Sequence, residues 1–212
     1  MLVSEWMTRE VISIPPTEKL STAAQWMAKR RVRQLPITEH DRLVGLLTKS
    51  DLLRACPPHL NPFSLAATNA TELAQPVRQV MTTQVVTVAP DEPLEGAARL
   101  IIERRMNALP VISPIQNLQG ILTSSDISRA LLAALGAGSP GVRITFEVHP
   151  NEDVFSFISG LASQHGARVV NVTAFVHQGR YQAVVRLDQE KPAMVEALWQ
   201  SGHRVSSVAR FR

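Results

Sequence analysis

Gly45-Leu46-Leu47-Thr48-Lys49-Ser50-Asp51 returns as Gly120-Ile121-Leu122-Thr123-Ser124-Ser125-Asp126. The reading of that pair decides the fold. Working outward, Met7-Thr8, Val11, Pro16, Leu20, Ala23-Ala24, Arg30-Arg31 and Leu35-Pro36 meet Met81-Thr82, Val85, Pro90, Leu94, Ala97-Ala98, Arg104-Arg105 and Leu109-Pro110 at a constant offset of 74, which becomes 75 after one inserted residue. A repeat this long means two copies of one supersecondary unit, each needing a partner to bury its apolar face. Two such units packed together leave a cleft near a pseudo-two-fold axis, a usual place for a small ligand.

Each copy reads as strand, helix, strand, strand, helix. Val11 to Ile14 is a β-rich run stopped by Pro15-Pro16. Thr17 is placed to cap a helix with Leu20, Ala23, Ala24 and Met27 on one face, repeated as Leu94, Ala97, Ala98 and Ile101. The alanines suit close helix–helix approach. Gln34–Thr38 and Leu43–Leu47 form a hairpin about a tip at Glu39–Arg42, and the second copy has Ala108–Ile112 and Leu118–Leu122 about Ser113-Pro114. A short helix opens at Ser50 and at Ser125.

The chemistry concentrates where the last strand meets the last helix. A helix N-terminus offers free N–H groups to phosphate. Thr48, Ser50, Thr123 and Ser125 add hydroxyl donors. Asp51 and Asp126 would repel phosphate but suit a ribose diol. One copy alone reads as a helix cap; two in register, each with a glycine three residues before the Thr, read as a nucleoside-phosphate handle. Lys29-Arg30-Arg31 and Arg104-Arg105 close helices, where cations suit the helix dipole, or reach phosphate in a cleft.

The pattern Gly-x-x-Thr-x-x-Asp, behind a helix and a Leu-Pro-Ile or Leu-Pro-Val strand, resembles the cystathionine-β-synthase (CBS) domain pair, or Bateman module, over roughly residues 1–135. The resemblance implies a regulatory adenosine ligand: AMP, ADP, ATP, S-adenosylmethionine or a cyclic dinucleotide. It assigns ribose to Asp51 and Asp126, and ribose or phosphate to Thr48 and Thr123. It lines the adenine pockets with Val11, Ile12, Arg33, Gln34, Leu35 and Pro36, and with Val85, Val86, Asn107, Ala108, Leu109 and Pro110. Arg33 aligns with Asn107, so unequal sites are expected if phosphate reaches that edge. CBS pairs commonly join into a four-repeat disc, so a homodimer is expected.

After Pro57 to Pro76, read as a connector with a short helix over Ser64 to Ala74, and a Gly/Pro linker at Ala133 to Gly141, the pattern changes. Strands at 142–148, 169–176, 181–187 and 205–211 alternate with helices from Val154 and Pro192, a βαββαβ ferredoxin-like order. This segment resembles an ACT domain. It lacks that family's Asp-x-x-Gly turn, carrying His149-Pro150-Asn151-Glu152-Asp153 instead, which favours dimerisation or partner binding over amino-acid sensing; Asn171 remains a candidate ligand contact. The expected fold class is α+β, with CBS repeats at 1–56 and 77–135, a connector at 57–76 and an ACT-like domain at 136–212. The whole plan resembles the acetoin-utilisation (AcuB) type of regulator.

Composition narrows the function. Net charge is +4 from 22 basic and 18 acidic side chains, with no basic stripe of the kind nucleic acid requires. No apolar run reaches membrane-spanning length. One cysteine, Cys56, permits no internal disulfide, and with no basic-then-apolar leader the expected location is cytoplasmic. Six scattered histidines show no metal-ligand spacing, and no nucleophile elbow or phosphate loop appears. The expected protein is a non-catalytic allosteric nucleotide sensor with an unknown regulated partner. The alternatives are a scaffold with an empty CBS pair, or an amino-acid sensor acting through the ACT-like unit.

Overall fold

The computed structural model describes residues 1–57, 61–64, 73–138 and 140–211. The chain forms two compact units, Met1–Ser128 and Arg129–Arg212. Most of the connector helix expected over Ser64 to Ala74 lies outside the described residues. Leu73 is fully buried in the first repeat's core.

In the first unit, α1 (Val3–Trp6) precedes α2 (Leu20–Arg30), β1 (Gln34–Glu39), β2 (Arg42–Thr48) and α3 (Lys49–Ala55). A 3-10 turn at Val77–Gln79 then leads to α4 (Leu94–Glu103), β3 (Ala108–Ile112), β4 (Leu118–Thr123) and α5 (Ser124–Ala134). Leu20, Ala23, Ala24 and Met27 are buried, as their spacing requires, and so are Leu94, Ala97 and Ile101. Two expectations are corrected. The strand at Val11–Ile14 shrinks to one parallel bridge, Ile14 to Ile37; Pro15 and Pro16, which have no N–H, stop any ladder beyond it. Thr17 does not cap α2: the helix starts three residues later, with Lys19 at its N-cap.

Each repeat extends its leading arm onto the other. Thr8 and Ile121 exchange two backbone hydrogen bonds of 2.9 Å, and Thr82 and Leu46 exchange two more at 2.9 Å. The N–H of Val3 donates to Glu92, and that of Val77 to Glu18. At the hairpin tips Arg42 bridges Asn117, its own counterpart in the repeat, which marks the pseudo-two-fold axis. Gly45 and Gly120 permit this exchange. A Cβ on Gly120 would stand 2.6 Å from Met7 Sδ and 3.0 Å from the Thr8 carbonyl; on Gly45 it would stand 2.5 Å from Met81 Sδ and 3.2 Å from the Thr82 carbonyl.

The second unit takes β5 (Gly141–Glu147), α6 (Val154–Gln164), β6 (Val169–His177), β7 (Arg180–Leu187), α7 (Pro192–Gln200) and β8 (Val205–Phe211). Its antiparallel sheet runs β6-β7-β5-β8, the ferredoxin-like arrangement. Val142, Ile144, Phe146, Ala183, Val185 and Leu187 share one core with Ile158 of α6 and with Met194 and Leu198 of α7. Asp153 caps α6, accepting from the N–H groups of Phe155 and Ser156 and from Ser156 Oγ at 2.6 Å. Among the described residues, no helix is long and apolar enough to cross a membrane.

Two predictions follow from these contacts. Gly120→Val should cost about 1–3 kcal/mol in urea denaturation by forcing the Met7-Thr8 arm outward. Gly96→Ala, in the first turn of α4, where an added Cβ would meet nothing within 4 Å, should be neutral or stabilise by up to about 1 kcal/mol. Equal effects at the two glycines would refute the close-approach argument. Separately, the Ser156 hydroxyl, followed by the Ser156 and Phe155 N–H groups, holds the Asp153 carboxyl below its ordinary value of 3.8. The cap therefore stabilises the fold above that pH and is lost as pH falls through the lowered value. A carboxyl carbon NMR titration should give a midpoint below 3.8, and Ser156→Ala should move it upward.

Candidate functional site

Both Thr-x-x-Asp segments form the same closed arrangement. Thr48 ends β2 and is the N-cap of α3. Its N–H and Oγ1 donate to Asp51 Oδ2 at 2.8 and 2.6 Å, and Asp51 N–H returns a bond to Thr48 Oγ1 at 3.2 Å. Thr123 repeats this with Asp126, at 2.7, 2.7 and 3.3 Å. These are capping boxes with Asp in the acidic role. The carboxylates are 6% and 2% exposed, and Arg54 pairs with the outer oxygen of Asp51. The Thr hydroxyls therefore reach the surface, with the carboxylates behind them as second acceptors. Counterpart backbone bonds hold the helix starts in place: Lys49 N–H donates to the Arg33 carbonyl at 2.9 Å, and Ser124 N–H to the Asn107 carbonyl at 3.0 Å.

Two clefts open beside these helix starts, both between the repeats. The first, of about 460 Å³, sets Val11, Ile12, Arg31 and Arg33 of the first repeat against Thr123 and Ser125 of the second, with Glu10 on its rim. The second, of about 520 Å³, sets Thr48, Lys49 and Ser50 against Arg105 and Met106. Both volumes suit small-molecule ligands, which occupy ~300–1,000 Å³. Arg33, Gln34 and Asn107 line both clefts and form a shared wall. Gln34 Oε1 is buried there with no hydrogen-bond partner, although buried polar atoms are nearly always paired.

The expected site residues divide into four groups. Asp51 and Asp126 line neither cleft: both are buried behind Thr48 and Thr123, which they hold in the capping boxes. Thr48, Ser50, Thr123, Ser125, Val11, Ile12, Arg33, Gln34, Asn107 and Ala108 line the clefts. Leu35, Pro36, Leu109 and Pro110 do not: all four are buried within β1 and β3, and the two leucines have no exposed surface. Consecutive residues face opposite sides of a strand, and β1 and β3 are covered on both sides here, which corrects the expected place of these four on the pocket wall. Val85 and Val86 are half-buried and line neither cleft. The expected inequality from Arg33 against Asn107 is also displaced, because both residues reach both clefts.

Sequence reading missed Thr8 and Glu10, which the first repeat lends to the cleft beside Thr123, and Lys49, which lines the second cleft from the helix start itself; Arg31 and Arg105, expected either to close helices or to reach phosphate, line the first and second clefts. Arg31 and Arg105 are repeat counterparts, and both hold positive φ (54° and 52°) at the ends of α2 and α4, a conformation glycine adopts more cheaply. In the second unit, Asn171 is taken up internally. Its amide donates to the Ala134 carbonyl at 2.7 Å and accepts from Thr173 at 2.8 Å, so it is not open to a ligand. Among the described residues, no group of three or more His, Cys, Asp or Glu side chains is placed to hold a metal.

The CBS domain family matches residues 3–57 and 77–133. The chain belongs to that family and carries two CBS domains in tandem. Three solved structures show what it is similar to. One is a CBS domain pair in complex with 5′-methylthioadenosine and S-adenosyl-L-methionine (28% identity, TM-score 0.52, covering 63% of this chain and 97% of that one). Another is CBSX2 from Arabidopsis thaliana in complex with AMP (27%, TM-score 0.53, 62% and 96%). The third is the AcuB protein of Vibrio cholerae, whose name assigns it to acetoin utilization (28%, TM-score 0.54, 66% and 98%). The plan of a CBS pair of the AcuB type is thereby supported. The chain spans 23–45% of the length of the first curated relatives it matches, among them homoserine O-acetyltransferases.

The capping boxes predict a stability effect independent of any ligand. Asp51→Ala should cost about 0.5–2 kcal/mol in denaturant unfolding, and Asp51→Asn clearly less, since an amide oxygen still caps. No loss in Asp51→Ala would show that the box contributes nothing.

Proposed function

We propose that this protein is a non-catalytic regulator that binds adenosine-containing ligands in the two clefts between its CBS repeats. The observation that carries the reading is the composition of each cleft: a Thr and Ser helix start from one repeat, with the capping Asp buried behind the Thr, facing cations from the other, across the wall that holds Arg33 and the unpaired Gln34 Oε1. The Thr hydroxyl and the Asp behind it receive the ribose diol. Ser50 or Ser125 and the arginines receive the 5′ substituent. Val11 and Ile12 offer the base an apolar surface in the first cleft, and the Gln34 carbonyl oxygen suits an exocyclic amino group. The relatives solved with AMP and with S-adenosyl-L-methionine support this ligand class.

The second unit is the output, an ACT-like domain for dimerisation or partner binding, with domain limits at 1–56, 77–135 and 136–212. The route is α5. It opens at Ser124 on the first cleft and continues to Ala134, whose carbonyl holds Asn171 of β6. α5 is thus the stretch of chain that joins the cleft to the second unit. The internal use of Asn171 favours a protein partner or a second copy over a free amino acid. Coupling of this kind is reciprocal: the partner changes ligand affinity by the same factor as the ligand changes partner affinity.

Calorimetric titration of the whole chain with AMP, ATP and S-adenosylmethionine tests the reading. Micromolar binding is expected. Asp126→Asn and Asp51→Asn, which keep the caps, should each weaken one site by about tenfold, the loss of roughly one charge-assisted hydrogen bond. Absence of binding to every adenosine ligand would leave the scaffold reading in its place.

A further inference from the structure

The two clefts are related by the repeat, yet their charges are not. Arg33 serves both. Beyond it, the first cleft has Arg31 and Glu10, with Ser124 at the helix start. The second has Arg105, the counterpart of Arg31, and Lys49, the counterpart of Ser124, with no acid on its wall. Among the described residues, Glu10, Arg31, Arg33 and Arg105 form no ion pair, and each is exposed. Lys49 Nζ sits over the Phe63 ring at 4.6 Å from its centroid, a cation–π contact that leaves the ammonium without an anion.

Resting on the adenosine reading above, we infer that the clefts are sorted by the charge of the 5′ substituent. The second cleft takes an adenosine 5′-polyphosphate, whose anionic oxygens meet Arg33, Lys49 and Arg105 together. The first takes an adenosine bearing a zwitterionic 5′ tail, the chemistry of S-adenosylmethionine. There Arg31 answers the tail carboxylate and Glu10 answers its ammonium or sulfonium. Opposite charges lining one cleft complement a zwitterion, and three like charges complement a polyanion. Glu10 also rejects polyphosphate from the first cleft, since like charge at close range opposes the wrong ligand. The left-handed conformations of Arg31 and Arg105 fit this use. Both helices end on an arginine where glycine would be less strained, and both arginines reach a cleft.

The test is calorimetry on the whole chain with ATP and S-adenosylmethionine, each alone and each in the presence of saturating amounts of the other. Expected are one site for each and simultaneous occupancy. Lys49→Ser, which copies Ser124, should weaken ATP by about tenfold and leave S-adenosylmethionine unchanged; Glu10→Gln should do the reverse. Both positions are exposed, so an unchanged melting temperature checks the fold. Mutual displacement of the two ligands from one site overturns the sorting, and so does either variant leaving its own ligand's affinity intact. In those outcomes adenosine ligands still bind and the broader reading stands. Failure of every adenosine ligand to bind overturns both.

Discussion

The four backbone hydrogen bonds by which each repeat's Met-Thr arm lies against the other's Gly-Leu or Gly-Ile strand are the constraint on which the first unit depends. Neither repeat can complete its own small sheet. β1–β2 and β3–β4 are two-stranded hairpins, and isolated hairpins are marginal in water. Each gains a bridged segment from the opposite repeat, and the contact is possible only because Gly45 and Gly120 present bare backbone to Met81 and Met7. The repeats are therefore obligate to each other. The clefts follow directly, since carrying Thr8, Glu10 and Val11 across to β4 sets them beside Thr123.

Pseudo-symmetry made two clefts, and substitution at matched positions made them different. The counterparts Arg33 and Asn107 lie on a wall common to both, so changing that pair alters both clefts at once. Lys49 against Ser124, and Glu10 on one rim only, are private to one cleft each. Divergence between duplicated sites therefore acts at the edges, while the capping boxes that position the Thr hydroxyls stay nearly identical in geometry. A buried Asp bonded to its own cap is a rigid element. It fixes the hydroxyl and keeps a carboxylate one layer beneath it.

The second unit holds a different polar device. His203 is buried with Nε2 at 2.9 Å from Glu152 and Nδ1 at 3.1 Å from Ser201 Oγ, stacked on Phe157 at 4.6 Å between centroids and beside His149 at 4.4 Å. These contacts tie the loop after β5 to the end of α7. The Glu152–His203 bond and the Asp153 cap hold the His149–Asp153 segment between β5 and α6.

Much of this was legible in the chain. The repeat, both hairpins, the apolar faces of α2 and α4, the helix starts after Thr48 and Thr123 and the βαββαβ order of the second unit all rest on local patterns, because period, caps and turn residues act over a few positions. The first strand was overread: one residue of its apolar run bridges, and two prolines stop any ladder beyond it. The site was half legible. Thr48, Thr123, the serines, Arg33 and Gln34 could be named from motif and resemblance. Leu35 and Leu109 could not be told from wall residues, because which face of a short strand looks inward depends on what packs behind it. What the sequence by itself determined is the inventory: two handles, and the matched and mismatched positions of a duplicated unit. Only the tertiary structure decided which residues share a cleft. The exchange of arms joins segments about a hundred residues apart, Thr8 with Ile121, and no local pattern records a contact between segments so far apart in the chain.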